Sequence, residues 1–164
     1  MAALLKNLRL AACSLKPALM LLPLHNELRF QYPPHPVILF DGVCNLCNAS
    51  VQKVIKHDPK RKFRFASLQG SFGQEVLKQF HLSGTDFNTF ILLKDDQIYT
   101  KSTAALKVAK EMSGLWSLLY IFIIIPAFIR NFFYDLVAKN RYKWFGKQDA
   151  CWIPTPDLKA LFYE

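Results

Sequence analysis

The fold of this 164-residue chain is decided by residues 37–47, which read Val37-Ile38-Leu39-Phe40-Asp41-Gly42-Val43-Cys44-Asn45-Leu46-Cys47. The four apolar residues that open the stretch, two of them β-branched, predict a buried strand that ends at Asp41-Gly42. After Cys47, apolar residues recur at three- and four-residue spacing, which predicts a helix from about Asn45 to His57. Both thiols are therefore expected on the first turn of a helix that directly follows a strand.

This position at a helix N-terminus favours redox chemistry. The unpaired N–H groups and the partial positive charge of the terminus stabilise a thiolate and lower the pKa of a cysteine there. Because Cys44 is nearest the terminus, we expect it to be the nucleophile. Cys47 lies three residues on and can attack a mixed disulfide formed at Cys44. The pattern predicts a dithiol–disulfide cycle that needs no cofactor and whose partners are protein or small-molecule disulfides and dithiols.

A family resemblance adds to this interpretation. The Asp-Gly-Val-Cys-Asn-Leu-Cys run at 41–47 resembles the signature of the DCC-type thiol-disulfide oxidoreductase family, which is regarded as thioredoxin-like. A second match, Asn-Arg-Tyr-Lys-Trp-Phe-Gly at 140–146, precedes Cys151. The resemblance covers roughly residues 36–162. It implies Cys44 and Cys47 as the redox pair and Asp41 as a family-defining neighbour.

Asp41 has two interpretations of about equal weight. A carboxylate three residues before Cys44 could accept a proton from the resolving thiol, or raise a thiol pKa by like-charge repulsion. Alternatively, it is a turn residue whose side chain binds the N–H groups of the loop. The sequence leaves both roles open.

The remaining elements predict an α/β protein. Strands are expected at about 63–68, 89–93 and 97–100, with a helix over 74–80 and another from Thr103 to Met112 that Ser102 would cap. This βαβ…ββα order matches a thioredoxin-like core. Thioredoxins place a cis-proline beside their cysteines, whereas this chain has no proline between Pro59 and Pro126.

Residues 112–129 form an uncharged stretch of eighteen residues. Pro126 divides it into two predicted helices, at about 115–124 and 126–140, and we expect this helical hairpin to cap the sheet as a buried layer. Weak association with a membrane surface is the alternative, since Trp116 and Tyr120 suit the interface. The following residues 141–146 are expected to be an aromatic clasp, or else to close over the thiols.

Length and composition bound the organisation of the chain. With 164 residues, 52% of them hydrophobic, a single domain over 36–164 is expected. Residues 1–35 are expected to be an extension, either a presequence or an amphipathic segment, because they are basic and lack acidic residues before Glu27. The formal charge of +9 is dispersed, so no nucleic-acid site is predicted. We expect a soluble protein of the cytoplasm or an organellar matrix.

The four cysteines are not spaced as a disulfide framework. Structural zinc sites usually draw their ligands from two close pairs, whereas Cys13 and Cys151 stand alone, so no metal is predicted. Cys151 is either a third redox thiol or a buried free cysteine. The competing function is a non-catalytic module for a membrane surface or protein partner, with cysteines that are structural or bind metal.

Overall fold

The computed structural model describes residues 33–82, 89–148 and 155–163. The strands are β1 (Val37–Phe40), β2 (Arg64–Ser67), β3 (Ile91–Lys94), β4 (Gln97–Thr100) and β5 (Phe162–Tyr163). The α-helices are α1 (Asn45–His57), α2 (Ser71–Gln79), α3 (Lys101–Glu111) and α4 (Ala127–Phe145). Two 3-10 helices, Gly114–Ile124 and Pro156–Leu161, complete the described elements.

The five strands form one mixed sheet in the order β4-β3-β1-β2-β5. Strand β1 pairs in parallel with β2 and antiparallel with β3, so that Ile38 lies between Phe65 and Leu92. The hairpin of β3 and β4 forms one edge, and β5 pairs in parallel with β2 at the other. Since α1 joins the parallel strands β1 and β2, the βαβ unit and the α/β class are confirmed.

The core lies where α1 and α3 pack on the central strands. All four residues of β1 are buried, as its uninterrupted apolar run predicts. Helix α1 contributes Val51 and Val54 to the same cluster, and α3 contributes Ala104 and Val108. Burial of each large aliphatic side chain contributes about 1.5–3 kcal/mol to the stability of the folded state. This packing holds the first turn of α1, with its two cysteines, at the end of β1.

One helix start differs from the prediction. Helix α3 begins at Lys101 with Thr100 as its N-cap residue, so the prediction that Ser102 caps the helix is wrong. The hydroxyl of Ser102 instead donates to Oδ1 of Asn131 at 2.5 Å, which ties α3 to α4.

The turn after β2 brings α2 unusually close to the sheet. A Cβ atom on Gly73 would lie 2.2 Å from the carbonyl oxygen of Ser67, so only glycine fits there. This turn also carries Gln69, whose side chain reaches the loop between β1 and α1. Gly73 therefore contributes indirectly to the position of that loop.

The helical segment at 112–145 is not the buried layer that the sequence predicts. Pro126 does separate two helices, but their large side chains point largely to solvent, with Leu115 81%, Ile124 80% and Phe128 75% exposed. A helix that is apolar on every side can bury only the stripe that meets its neighbour. We call the exposed large apolar residues between 115 and 145 the apolar face. Within the described ranges, no helix is both long and apolar enough to span a bilayer.

Candidate active site

The two thiols lie at the start of α1. Cys44 is the N-cap residue, and its carbonyl oxygen accepts the first helical hydrogen bond, from the N–H of Asn48 at 2.9 Å. Cys47 follows in the first turn, and both thiols are free. The two side chains are hydrogen-bonded to each other. The predicted juxtaposition of the cysteine pair with a helix N-terminus is thus present in the structure.

The two cysteines differ in exposure, and the difference does not match the roles expected for them. Cys44 is 0% exposed, whereas Cys47 is partly exposed. The chain after α4 runs beside Cys44: Lys147 forms a β-bridge with it, and the N–H of Gln148 donates to the carbonyl of Val43 at 2.8 Å. The assignment of Cys44 as the nucleophile stays a prediction, and these exposures favour the opposite order.

Asp41 is buried and accepts hydrogen bonds on both carboxylate oxygens. Its Oδ1 accepts from Nε2 of Gln69 at 2.7 Å and from the N–H of Val43 at 3.2 Å. Its Oδ2 accepts from an Arg141 guanidinium nitrogen at 2.5 Å and from the hydroxyl of Tyr142. The bond to Val43 is the loop-stabilising role that the sequence suggests. Four donors on one carboxylate hold the loop in a single conformation.

Two amide side chains hold the rest of the loop. Gln69 accepts from the N–H of Gly42 at 3.1 Å, and the Nδ2 of Asn48 donates to the carbonyl of Gly42 at 3.0 Å. Gln69 also accepts from the hydroxyl of Ser67 at 2.6 Å. Sequence reasoning missed Gln69 and Asn48, because neither belongs to a motif that signals their contacts.

Arg141 is the first residue of the 141–146 segment, for which closure over the thiols was the alternative interpretation. It lies on α4, 3% exposed, one hundred residues from Asp41, and forms a buried ion pair with it. Helix α4 continues to Phe145, so the predicted end near 140 is too early and residues 141–145 are helical. Trp144 and Phe145 of the predicted aromatic clasp remain exposed, whereas Arg141 is buried.

Burial dominates the electrostatics of Cys47. Burial first, and then the neighbouring Cys44, raise the pKa of the Cys47 thiol to about 12, while the positive charge of Arg141 acts in the opposite direction. The lowering that a helix N-terminus was expected to produce is therefore absent at Cys47. The reduced protein carries this sulfur as a thiol near neutral pH.

A pH-dependent reactivity follows from this raised pKa. We expect iodoacetamide to modify reduced Cys47 slowly near neutral pH, and the rate to keep rising about tenfold per pH unit through pH ~10, because only the thiolate reacts. Peptide mass spectrometry of the wild-type protein measures the modification at Cys47. Free glutathione is the control, and its rate should level off near pH ~9. A rate at Cys47 that reaches its plateau with glutathione would contradict the raised pKa.

A cavity of about 290 Å³ lies beside Cys47. Most of its wall is apolar and comes from α1, α3, α4 and the 3-10 helix at 114–124; examples are Leu46, Val54, Phe90, Val108, Met112 and Trp116. Arg141 lines the same cavity as Cys47. The hydroxyl of Tyr134, also in the wall, accepts from the N–H of Phe90 at 2.8 Å, and burial raises the pKa of Tyr134 to about 12.

The described residues contain no cluster of three or more histidine, cysteine or acidic side chains that could hold a metal ion. Cys13 and Cys151 lie outside the described residues, so the two alternatives for Cys151 stay predictions. The division between an extension over 1–35 and a domain over 36–164 likewise stays a prediction, because residues 1–32 are not described.

The sheet, the βαβ unit and the cysteine pair at the start of α1 together define a thioredoxin-like α/β protein with a Cys-x-x-Cys site. Residues 38–147 match the family described as DCC1-like thiol-disulfide oxidoreductase, and the chain belongs to this family. The family resemblance seen in the sequence is thereby confirmed.

Two relatives support this membership. The uncharacterised protein YuxK of Bacillus subtilis (strain 168) is 48% identical over 129 residues, which are 79% of this chain and 94% of YuxK. A chloroplastic DCC family protein of Arabidopsis thaliana is 40% identical over 123 residues, which are 74% of this chain and 72% of that protein. No solved structure matches the chain.

Proposed function

We propose that the chain is a thiol–disulfide oxidoreductase in which Cys44 and Cys47 cycle between a dithiol and a disulfide. The observation that carries this proposal is the pair of free, hydrogen-bonded thiols at the start of α1, one of which lines a cavity. Membership of the DCC1-like family supports a redox function. The proposed partners are protein or small-molecule disulfides and dithiols.

The proposed cycle moves two electrons. A thiolate of the pair attacks the disulfide of the partner, a mixed disulfide forms, and the first partner thiolate leaves. The second cysteine then attacks the mixed disulfide, which forms the bond between Cys44 and Cys47 and releases the second partner thiolate. If Cys44 makes the first attack, this residue must first become accessible, because it is 0% exposed in the structure.

Arg141 and Asp41 are positioning residues in this proposal. The positive charge of Arg141 favours the thiolate of Cys47, and Asp41 holds Arg141 in place. Both carboxylate oxygens of Asp41 already accept hydrogen bonds, which favours the structural role over that of a proton acceptor. The proton-accepting role of Asp41 would require one of these bonds to break.

A turnover assay tests the proposal. Catalytic amounts of the purified protein are expected to accelerate the reduction of insulin disulfides by dithiothreitol, at a rate proportional to protein concentration. Protein treated with a metal chelator is expected to keep that rate, whereas loss of the rate would favour metal-binding cysteines. A rate equal to that of buffer alone would remove support for the oxidoreductase.

The apolar face favours a second candidate function, docking to a membrane surface or a protein partner. All the exposed large apolar residues of the described chain lie between 115 and 145, and an exposed apolar surface supports an interaction site there. Lys53 lies 4.6 Å from the ring centre of Trp116, and Lys110 lies 4.8 Å from that of Tyr120. Co-sedimentation with phosphatidylserine vesicles tests the membrane version, and protein that stays in the supernatant would contradict it.

The compartment is also a proposal. A cytoplasmic or organellar location fits a protein that uses its cysteines as reduced thiols. The basic N-terminal residues, without an acidic residue before Glu27, and the chloroplastic relative support the organellar choice.

A further inference from the structure

The two sulfurs of the site differ in access. Cys44 is 0% exposed, and its backbone forms a β-bridge with Lys147. An incoming partner therefore has no access to this residue in the structure. Cys47 is partly exposed and lines the cavity. Because thiol–disulfide exchange requires in-line access to the sulfur under attack, the two cysteines are not equivalent toward a partner.

The wall of the cavity suggests what occupies it. Side chains of Leu46, Phe90, Val108, Met112 and Trp116 surround the space beside Cys47. Both hydroxyl groups in the wall have partners: that of Ser50 donates to the carbonyl of Leu46 at 2.8 Å, and that of Tyr134 accepts from the N–H of Phe90 at 2.8 Å. The two charged side chains in the wall are also engaged, Lys53 with the ring of Trp116 and Arg141 with Asp41. A cavity with an apolar wall and a thiol at its edge suits a group that needs no hydrogen bonds.

We propose that this cavity is the substrate site, that it binds an apolar group attached to the reacting sulfur of the partner, and that the mixed disulfide forms on Cys47. This inference rests on the proposed thiol–disulfide exchange and adds the substrate class and the order of the sulfurs. The apolar group belongs either to a small thiol or to the residue next to a cysteine in a peptide.

The electrons balance in this order. A partner thiolate attacks Cys47 of the oxidised pair, the bond between Cys44 and Cys47 breaks, and Cys44 leaves as a thiolate. A second partner thiolate then attacks the partner sulfur of the mixed disulfide, and Cys47 leaves. Two partner thiols are oxidised to one disulfide, the protein disulfide is reduced to a dithiol, and the reverse reaction passes through the same mixed disulfide.

The surroundings of the pair support this order. In this order Cys44 is the sulfur released inside the protein, at the start of α1, so the partner never has to reach the 0% exposed sulfur. Burial raises the pKa of Cys47, so this sulfur takes up a proton once it is released. Arg141, which lines the cavity with Cys47, places a positive charge where the partner thiolate approaches.

Trapping the mixed disulfide tests which sulfur carries it. The Cys44→Ser and Cys47→Ser variants are treated with the mixed disulfide of benzyl mercaptan and thionitrobenzoate, and the adduct is located by peptide mass spectrometry. We expect the benzyl adduct on Cys47 of the Cys44→Ser variant, and at least about tenfold less on Cys44 of the Cys47→Ser variant. Adduct mainly on Cys44 would overturn this inference while leaving the proposed function intact. Adduct on neither would count against both.

A cavity variant tests the substrate class. The oxidised wild type is expected to react about tenfold or more faster with benzyl mercaptan than with mercaptoethanol, a thiol of similar acidity, because two buried CH₂ groups contribute about a factor of ten. Ala105, an exposed residue of α3 that lines the cavity, is changed to Trp to fill it, and Ala105→Trp should remove the preference. Ala127→Trp, on α4 and outside the cavity wall, is the matched control and should keep it. Equal rates for the two thiols in the wild type would overturn the apolar site.

The source of the apolar group is distinguished by a second pair of probes. The tripeptides Phe-Cys-Phe and Ser-Cys-Ser are compared as reductants of the oxidised protein, beside benzyl mercaptan and mercaptoethanol. A preference for Phe-Cys-Phe over Ser-Cys-Ser assigns the site to peptide cysteines. A preference that appears only among the small thiols assigns it to small molecules.

Discussion

Arg141→Ala is expected to lower the free energy of unfolding by about 3–5 kcal/mol, the cost of leaving one charge of a buried ion pair without its partner. The carboxylate of Asp41 is almost fully buried, and Arg141 donates to it at 2.5 Å. Without the guanidinium, the buried carboxylate keeps the hydrogen bonds from Gln69 and Tyr142 but loses its counter-charge. The loop that carries Cys44 should loosen as well, since Asp41 accepts from the N–H of Val43.

Urea unfolding followed by circular dichroism measures this loss. Lys143→Ala is the matched control, because Lys143 lies two residues further along α4 and is exposed; it should stay within about 0.5 kcal/mol of the wild type. The double variant Asp41→Ala with Arg141→Ala should recover part of the loss, since removing both charges leaves neither uncompensated. An Arg141→Ala variant as stable as Lys143→Ala would show that the ion pair is not buried in solution.

Loss of either cysteine of the pair is expected to lower the catalysed exchange rate to that of the uncatalysed reaction. A disulfide between Cys44 and Cys47 needs both sulfurs, so neither Cys44→Ser nor Cys47→Ser can complete a cycle. The variants should fold normally, because serine differs from cysteine by one atom and both residues lie at the start of α1. The insulin reduction assay measures the rate for each variant.

Cys13→Ser is the control for these two variants, because it removes a cysteine far from the pair in the sequence. We expect it to keep the wild-type rate. Full activity in Cys44→Ser or in Cys47→Ser would exclude the two-cysteine cycle, and equal loss in Cys13→Ser would point to a general effect of fewer thiols. Circular dichroism of each variant separates loss of chemistry from loss of folding.

Local patterns sufficed to predict the elements around the thiols. The apolar run of Val37–Phe40 and the spacing of apolar residues after Cys47 predicted β1 and α1 with the bounds that the structure shows. Both signals come from residues adjacent along the chain, and Asp41-Gly42 separates the two elements. In contrast, β5 has only two residues, too few to show any periodicity, and it forms because β2 offers a free edge.

Features that depend on contacts between distant segments were not predictable. The partners of Asp41 include Gln69, Arg141 and Tyr142, which lie 28, 100 and 101 residues away. The β-bridge of Cys44 likewise joins it to Lys147, 103 residues away (147 − 44). Composition identified the apolar stretch at 112–129, but burial depends on how much of a helix its neighbours can cover. The exposure of the apolar face consequently differs from the expected buried cap.

We propose that Cys44 and Cys47 form a reversible disulfide with each other. The direct test is a titration of the wild-type protein in glutathione buffers of graded potential, followed by acid quench, alkylation and peptide mass spectrometry. We predict one two-electron transition, in which the peptide that contains Cys44 and Cys47 loses two hydrogens and becomes protected from alkylation at both sulfurs. Two thiols that remain open to alkylation at every potential, or that each carry glutathione without bonding to each other, would exclude a reversible disulfide between Cys44 and Cys47.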